Sequence, residues 1–556
     1  MNSRIPLTFL LVLFLLPSIK LYSQSILPQG FIPGEVHGNF QSDLQYYNSD
    51  TSIGAPEVPE KVLMRGFANI NYTLGNFSAG LRYESYLATL QGFDSRYDGN
   101  AIPYRYATYQ NEKLNVTVGS FYEQFGNGLI FRSYEQWGLG YDNAMDGIRL
   151  KYEPLKGVYL KGVIGKLRKF MGSGPGVVRG LDLEFSLADM FDSLFNKTNI
   201  IIGGGMISKY QSDQNSTYNL PENVAAFAGR LNIISGKFNI GAEYAYKIND
   251  PSAANSYIYK DGESFLFTAS YSTKGLGILL TAKRVDNMDF RSDRAAAGSE
   301  LNINYIPAIT KVHTYSLAAY YPYATQPLGE MGLQGDIIYK IKKGSPLGGK
   351  YGTSILVNYS TVFGIKRTAV NDTTAIGESG TLGYKSNFFD IGDTKYFEDL
   401  NINISRKFSK KFKAAVSFMY FEYNKDVIQG FGNQYGTIYG NVAVADLTFK
   451  LKPKNTIRVE LQNLYTKQDD GSWGMMLVEY TIAPHWFVAA FDEYNYGNKK
   501  SNKRFHYFTA QVGYKNKGNT FTLGYGRQRA GIFCVGGVCR NVPASNGVTL
   551  AITSSF

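Results

Sequence analysis

Side chains that alternate apolar and polar over most of the chain, short polar turns that trade with long polar connections, and a closing strand that ends in an aromatic predict an all-β, antiparallel transmembrane barrel. Composition clears the ground for that reading. Of 556 residues, 15% are aromatic and only 18% charged, against about 25% charge in an average soluble domain. Disordered chains are poor in aromatics and rich in charge, so disorder is excluded. Beyond the first twenty residues no run of roughly 18 apolar residues occurs, which excludes a helical membrane protein. With 2 Cys and 4 His the chain is poorly supplied with metal ligands, and neither a metal nor a cofactor is expected.

Each element follows from local chemistry. Arg4 precedes an apolar core from Leu7 to Leu16, then Pro17 and a polar stretch ending Leu21-Tyr22-Ser23-Gln24. That is a secretory signal peptide pattern, too short to span a bilayer. Residues 1–23 are expected to be cleaved, leaving 24–556 as a single barrel domain; no Cys near the cleavage site argues for a lipid anchor. From Gly34 the period is two. Val36, Phe40, Leu44 and Tyr46 share one parity, and Glu35, His37, Asn39, Gln41, Asp43 and Gln45 the other. Successive side chains of a strand point to opposite faces, so one face is apolar and one wet. The pattern recurs over 77–84, 238–244, 351–363, 412–422, 457–465 and 505–513. Only Leu181 to Phe195 carries a weak helical signal.

Gly75-Asn76, Ser235-Gly236-Lys237, Lys274-Gly275 and Ser409-Lys410-Lys411 read as short turns, whereas 92–102, 208–223, 286–300, 368–395 and 496–503 are long polar segments. Short turns at a periplasmic end and long extracellular loops at the other are the habit of outer-membrane barrels. One hairpin per roughly 50 residues gives about 20 to 24 strands, even in number. A β-solenoid is disfavoured because no internal period of about 20 to 50 residues is visible. The last ten residues place Val548, Leu550, Ile552 and Phe556 on one parity and Thr549, Ala551, Thr553 and Ser555 on the other. Phe556 is the expected assembly signal, which makes the barrel assembly machinery an expected partner.

Within strands, Arg65, Arg82, Glu84, Arg149, Lys151, Glu243, Arg458 and Glu460 share the wet parity. A charge facing lipid costs about 2 to 4 kcal/mol at the midplane, so these are expected to line the lumen. There they either set the selectivity of a pore or pair with one another to fill the barrel. Two segments break the alternation. The first, 121–143, is aromatic and Gly-rich, with Phe125, Arg132, Glu135 and Trp137 as candidate constriction residues. The second spans 313–330. Loops so rich in aromatics are expected to fold onto something: the lumen, a partner, or each other as a projecting hairpin. The net charge of +12 sits largely in loop lysines such as Lys410, Lys411, Lys499, Lys500 and Lys503. No nucleic-acid platform accompanies them; outer-membrane lipid and lipopolysaccharide phosphates, or simply solvent, are the expected counterparts. His37, His313, His485 and His506 stand apart in sequence, without a nucleophile elbow or a paired-histidine metal motif, so no catalytic residue is assigned.

The stretches Gln124-Phe125-Gly126-Asn127-Gly128-Leu129, 139–147 and Tyr321-Pro322-Tyr323-Ala324-Thr325-Gln326-Pro327 resemble an uncharacterised family of Bacteroidota outer-membrane β-barrels, and the ending from Cys534 to Arg540 is similar to endings in that group. The resemblance implies a barrel fold and an outer-membrane location in a Gram-negative bacterium. It supplies no catalytic residues, and it brings in an accessory role in type IX secretion as a second reading. Cys534 and Cys539 are expected to form a disulfide, because an exported protein meets an oxidising compartment; a reduced or metal-bound pair is the alternative. No plug domain of about a hundred residues precedes the first strand, which argues against a TonB-coupled receptor. The leading functional expectation is a porin-like or selective conduit for small solutes. A scaffold or accessory component of secretion or surface assembly is the other.

Overall fold

The computed structural model describes residues 34–191, 197–535 and 538–556. The expected signal peptide, 1–23, lies outside these. Among the described residues the alternating segments form one 24-stranded antiparallel sheet, at the upper end of the expected range. It closes on itself. The first strand, Glu35–Asn48, pairs with Val62–Leu74 on one side and with the last strand, Ser545–Ser555, on the other. Asp43 therefore lies between Arg65 and Ala551. Closure leaves no free strand edge.

Most connections sort by length, with 342–352 at the short-turn end and the tight turn Phe170-Met171 at the other among the exceptions. Gly75-Asn76 and Lys274-Gly275 turn tightly at one end, and the chain's first strand begins and its last strand ends there. The opposite end carries the long connections, among them 211–222, 366–390 and 495–505. Gly75 has φ +54 and Gly275 φ +87, left-handed values that glycine adopts without steric cost.

The outward face is aliphatic with aromatic borders. Near the short turns the ring pairs Phe77–Tyr109, Phe238–Tyr271, Phe412–Phe449 and Trp486–Tyr514 lie 4.8–5.0 Å apart. Towards the long loops Tyr46, Tyr83, Tyr210, Tyr439, Tyr465 and Tyr525 are exposed. Tyr439 and Phe449 mark both borders on one strand, Thr437–Lys452. Ten residues of tilted strand rise roughly 25 Å, the height of the apolar band that a barrel shows to lipid.

Leu181 to Phe195 departs from the helical expectation. Gly172–Ser186 is strand, followed by a single helical turn, Leu187–Met190, and residues 192–196 lie outside the described set. The apparent helical spacing arises because Leu181 faces outward while its neighbour Asp182 is buried beneath Arg230, which is strand alternation. Among the described residues no helix is long and apolar enough to cross a membrane.

Candidate functional site: a lumen filled by two inserts

The largest apolar core lies inside the barrel, not in its wall. Two connections at the long-loop end supply it: 122–144 and 287–328. Phe125, Leu129, Ile130 and Phe131 of the first pack with Met288, Phe290, Leu301 and Ile303 of the second, and with wall residues such as Val178, Ile207 and Val285. The backbones bond directly as well. Arg132 N donates to Ile303 O and Tyr305 N to Gly128 O, each at 2.9 Å. Asn143 Nδ2 donates to Asn302 O at 2.8 Å, and Asn304 Nδ2 to Leu129 O at 3.2 Å. Buried backbone polar groups need such partners, and the inserts provide them for each other.

The eight wall charges singled out from sequence all meet partners. Arg65 donates to Asp43 at 2.9 Å and Arg82 to Glu135 at 2.6 Å. Glu84 accepts from Arg168 at 2.7 Å. Lys151 pairs with Glu123 at 2.7 Å, while Arg149 donates to Asn115 and Thr117 at 2.9 Å. Glu243 accepts from both the backbone N and Nδ2 of Asn127 at 2.7 Å. Arg458 binds Asp446 at 3.0 Å and also reaches Glu460. Several of these partners sit on the first insert, so the charges tether it to the wall. Gly126 sits against the same contact. Its φ is +50, and a Cβ there would lie 2.6 Å from the Glu243 carboxylate.

The candidate constriction residues all lie within this fill. Phe125 stacks edge-on against Phe131 at 5.0 Å. Arg132 lies over Tyr134 and Tyr305, at 4.4 and 4.2 Å. Trp137 meets Phe67 at 4.1 Å, and Arg65 stacks on its ring. Burial pushes the Glu135 carboxyl above the usual carboxylate range, against the pull of Arg82.

The second insert begins at 287, well before the segment 313–330 that stood out in sequence. Three wall lysines hold it by backbone carbonyls. Lys209 Nζ donates to Arg291 O at 2.8 Å, Lys247 to Asp289 O and Lys283 to Pro307 O, both at 2.5 Å. The first and last also form ion pairs with Asp250 and Glu330. Sequence reading missed all three lysines, because backbone acceptors leave no mark on side-chain patterns. Further on, Leu317 N donates to Gln462, and Tyr320 OH donates to Glu493 at 2.8 Å. Burial, reinforced by neighbouring carboxylates, pushes the Tyr321 and Tyr323 hydroxyls up, so both remain neutral donors to Asp469 and Glu330.

Filling is uneven. In the sector around the closing seam, the inward positions carry small side chains: Ala489, Gly524, Thr549, Ala551 and Thr553. Thr549 and Thr553 are exposed there. A cavity of about 350 Å³ between Tyr320, Glu493 and Thr549 shares Arg529 with one of about 480 Å³ at the long-loop end. Among the described residues no cluster of three or more His, Cys, Asp or Glu could hold a metal. Nor does any described histidine hydrogen-bond a serine: His37 meets Glu35, His485 the Lys515 carbonyl and His506 Asp492, while His313 lies 3.6 Å from Asp399. Cys534 and Cys539 face each other in backbone register; their side chains lie outside the described set.

Fold and interior together define a closed β-barrel that supplies its own plug from two loops. The chain belongs to the family of unknown function DUF6029, whose model matches residues 3–556. No curated protein matches it. Among solved structures it is similar to the P pilus usher PapC translocation pore, at 10% identity and TM-score 0.43, over 94% of this chain and 99% of that one. It is also similar to the siderophore receptor PirA from Pseudomonas aeruginosa, at 10% identity and TM-score 0.40, over 95% and 81%. A mutant porin of Rh. blastica matches at 12% identity and TM-score 0.24, over 65% and 100%.

Proposed function

We propose that this barrel resides in the outer membrane of a Gram-negative bacterium and acts there, without catalysis, as a restricted conduit for small polar solutes. The aromatic borders and the apolar band between them support the location. The seam sector carries the conduit reading: small inward side chains line it, and two cavities meet at Arg529 beside the plug. Both signs of charge border this path, with Glu493 and Asp470 on one hand and Arg529 and Lys503 on the other. Rings or rows of charge tune which ions pass. Purified protein in planar bilayers is expected to show small, discrete conductance steps, enlarged when residues 313–323 are replaced by a short Gly-Ser linker. A membrane that stays silent with both proteins defeats the reading.

A second reading, an accessory or scaffold barrel for secretion or surface assembly, is favoured by one feature of the long-loop end. Ile376, Leu382 and Phe389 of the loop 366–390 are exposed, Phe389 at 83%. Exposed apolar residues on a loop are a landing surface for a partner. Stable co-purification of a membrane or secreted protein that is lost in Phe389→Ser supports this reading; unchanged recovery in that variant removes it.

A further inference from the structure

We propose that the lumen contains a binding site for a small organic anion with an aromatic or apolar body. The site is a cavity of about 500 Å³ between the two inserts and the loop before the last strand. Its volume falls within the roughly 300–1,000 Å³ typical of small-molecule pockets. Tyr305, Tyr321, Pro322 and Phe397 give it aromatic and apolar walls. Lys311, His313 and Arg540 also line it, and no carboxylate does.

Among the described residues Lys311 and Arg540 form no ion pair, while His313 faces the buried Asp399 carboxylate at 3.6 Å. The Asp399 and Asp336 carboxylates draw on Lys311 from beyond ion-pair distance, and Arg540 Nε and Nη1 are buried without a hydrogen-bond acceptor. Arg540 is held by stacking alone, 3.9 Å over the Phe93 ring. On its far side it borders a smaller cavity whose acids are already committed. Asp142 pairs with Arg168 and Asp94 with Arg96, both at 2.7 Å, and Glu300 pairs with Lys169 at 3.2 Å. His313 Nε2 likewise is buried without a hydrogen bond. A buried cation without a counter-ion is costly, and an anion that arrives with its own acceptors offsets that cost. Burial pushes the Lys311 ammonium below its usual range, and burial beside Arg65 brings the Arg540 guanidinium down to about 10. Both directions agree with sites that want a negative partner. The guanidinium suits a carboxylate, sulfonate or phosphate, since its fork of donors matches two oxygens at once.

The site does not depend on transport. A barrel that binds and never conducts satisfies this inference and defeats the conduit, and the two measurements are separate. Equilibrium dialysis of the full barrel in lipid nanodiscs, with empty nanodiscs as blank, tests it with 1-naphthoate and its cationic counterpart 1-naphthylmethylammonium. We expect naphthoate to be held at least tenfold more tightly than the cation. Lys311→Gln and Arg540→Gln are each expected to weaken naphthoate about fivefold or more, with Arg540→Lys recovering part of the loss. Ala308→Trp fills the cavity without touching a charge and is expected to abolish retention. Equal retention of anion and cation, no retention above empty nanodiscs, or undiminished binding in Ala308→Trp overturns the site. Heat-modifiable mobility confirms folding of each variant, and should Arg540→Gln fail that check, Lys311→Gln and Ala308→Trp decide.

Discussion

Lys283 illustrates how a single residue secures the interior. Its ammonium is fully buried against Glu330 at 2.5 Å and also bonds Pro307 O. Removing one partner of a buried pair strands the other charge, at a cost of about 3–5 kcal/mol. Lys283→Ala is therefore expected to lower the temperature at which the barrel loses its compact gel mobility, and Lys283→Met combined with Glu330→Gln to restore much of it. A single variant as heat-stable as the parent contradicts this. Asp213 acts in a loop. It accepts from the backbone N–H groups of Asn215 and Leu220, both at 2.9 Å, and those bonds hold its carboxyl below the usual 3.8. A depressed carboxylate stabilises above its ordinary value and loses that contribution as pH falls through the lowered one. Amide exchange across 211–222, corrected for intrinsic rate, should thus accelerate below about pH 4 and be insensitive to that change in Asp213→Asn. The residue scale is also where sequence was least informative. Arg82 and Glu135 are 53 positions apart, and Glu84 and Arg168 are 84 apart. Parity places Arg82 and Glu84 on the inner face, but only the folded barrel and its insert bring them to Arg168 and Glu135.

Strands and loops were legible to very different degrees. A period of two with Gly-containing turns identified most of the wall, because every strand must put apolar atoms outside and polar ones within. The last strand is the clearest instance: Val548, Leu550 and Ile552 face out, and Phe556 exchanges backbone bonds of 3.0 Å with Gly38. Deleting Phe556 removes both bonds and the terminal aromatic, so the folded, heat-modifiable form is expected to fall sharply in membrane fractions; normal yield would speak against an assembly role. Aromatic richness singled out 121–143 and 313–330, whereas 286–300 reads as an ordinary polar loop and 301–312 carries no signal of its own. Their buried Met288, Phe290, Leu301 and Ile303 are too sparse to betray a core, since each packs against another element and not along its own.

For the molecule as a whole, the two faces of one strand make opposite demands. Leu550 points to the outer surface at mid-strand, while its neighbour Ala551 points to the seam lumen. Leu550→Lys is expected to destabilise the barrel in vesicles by about 2–4 kcal/mol, and Ala551→Lys by much less, as read by urea unfolding. Comparable losses at both positions would mean that the seam lumen is as dry as the lipid.

The tethers around the plug also make the wall mechanically uneven. Around the 24-stranded wall, ion pairs and hydrogen bonds run like spokes from the inserts to Arg65, Arg82, Lys161, Lys209, Lys247, Lys283, Gln462 and Glu493. The arc formed by His506–Asn516, Asn519–Gln528 and Ser545–Ser555 receives few of them. That arc therefore keeps its curvature by its strand ladders, which where the first and last strands meet run unbroken from Asn39 against Ser555 to Asn48 against Asn546.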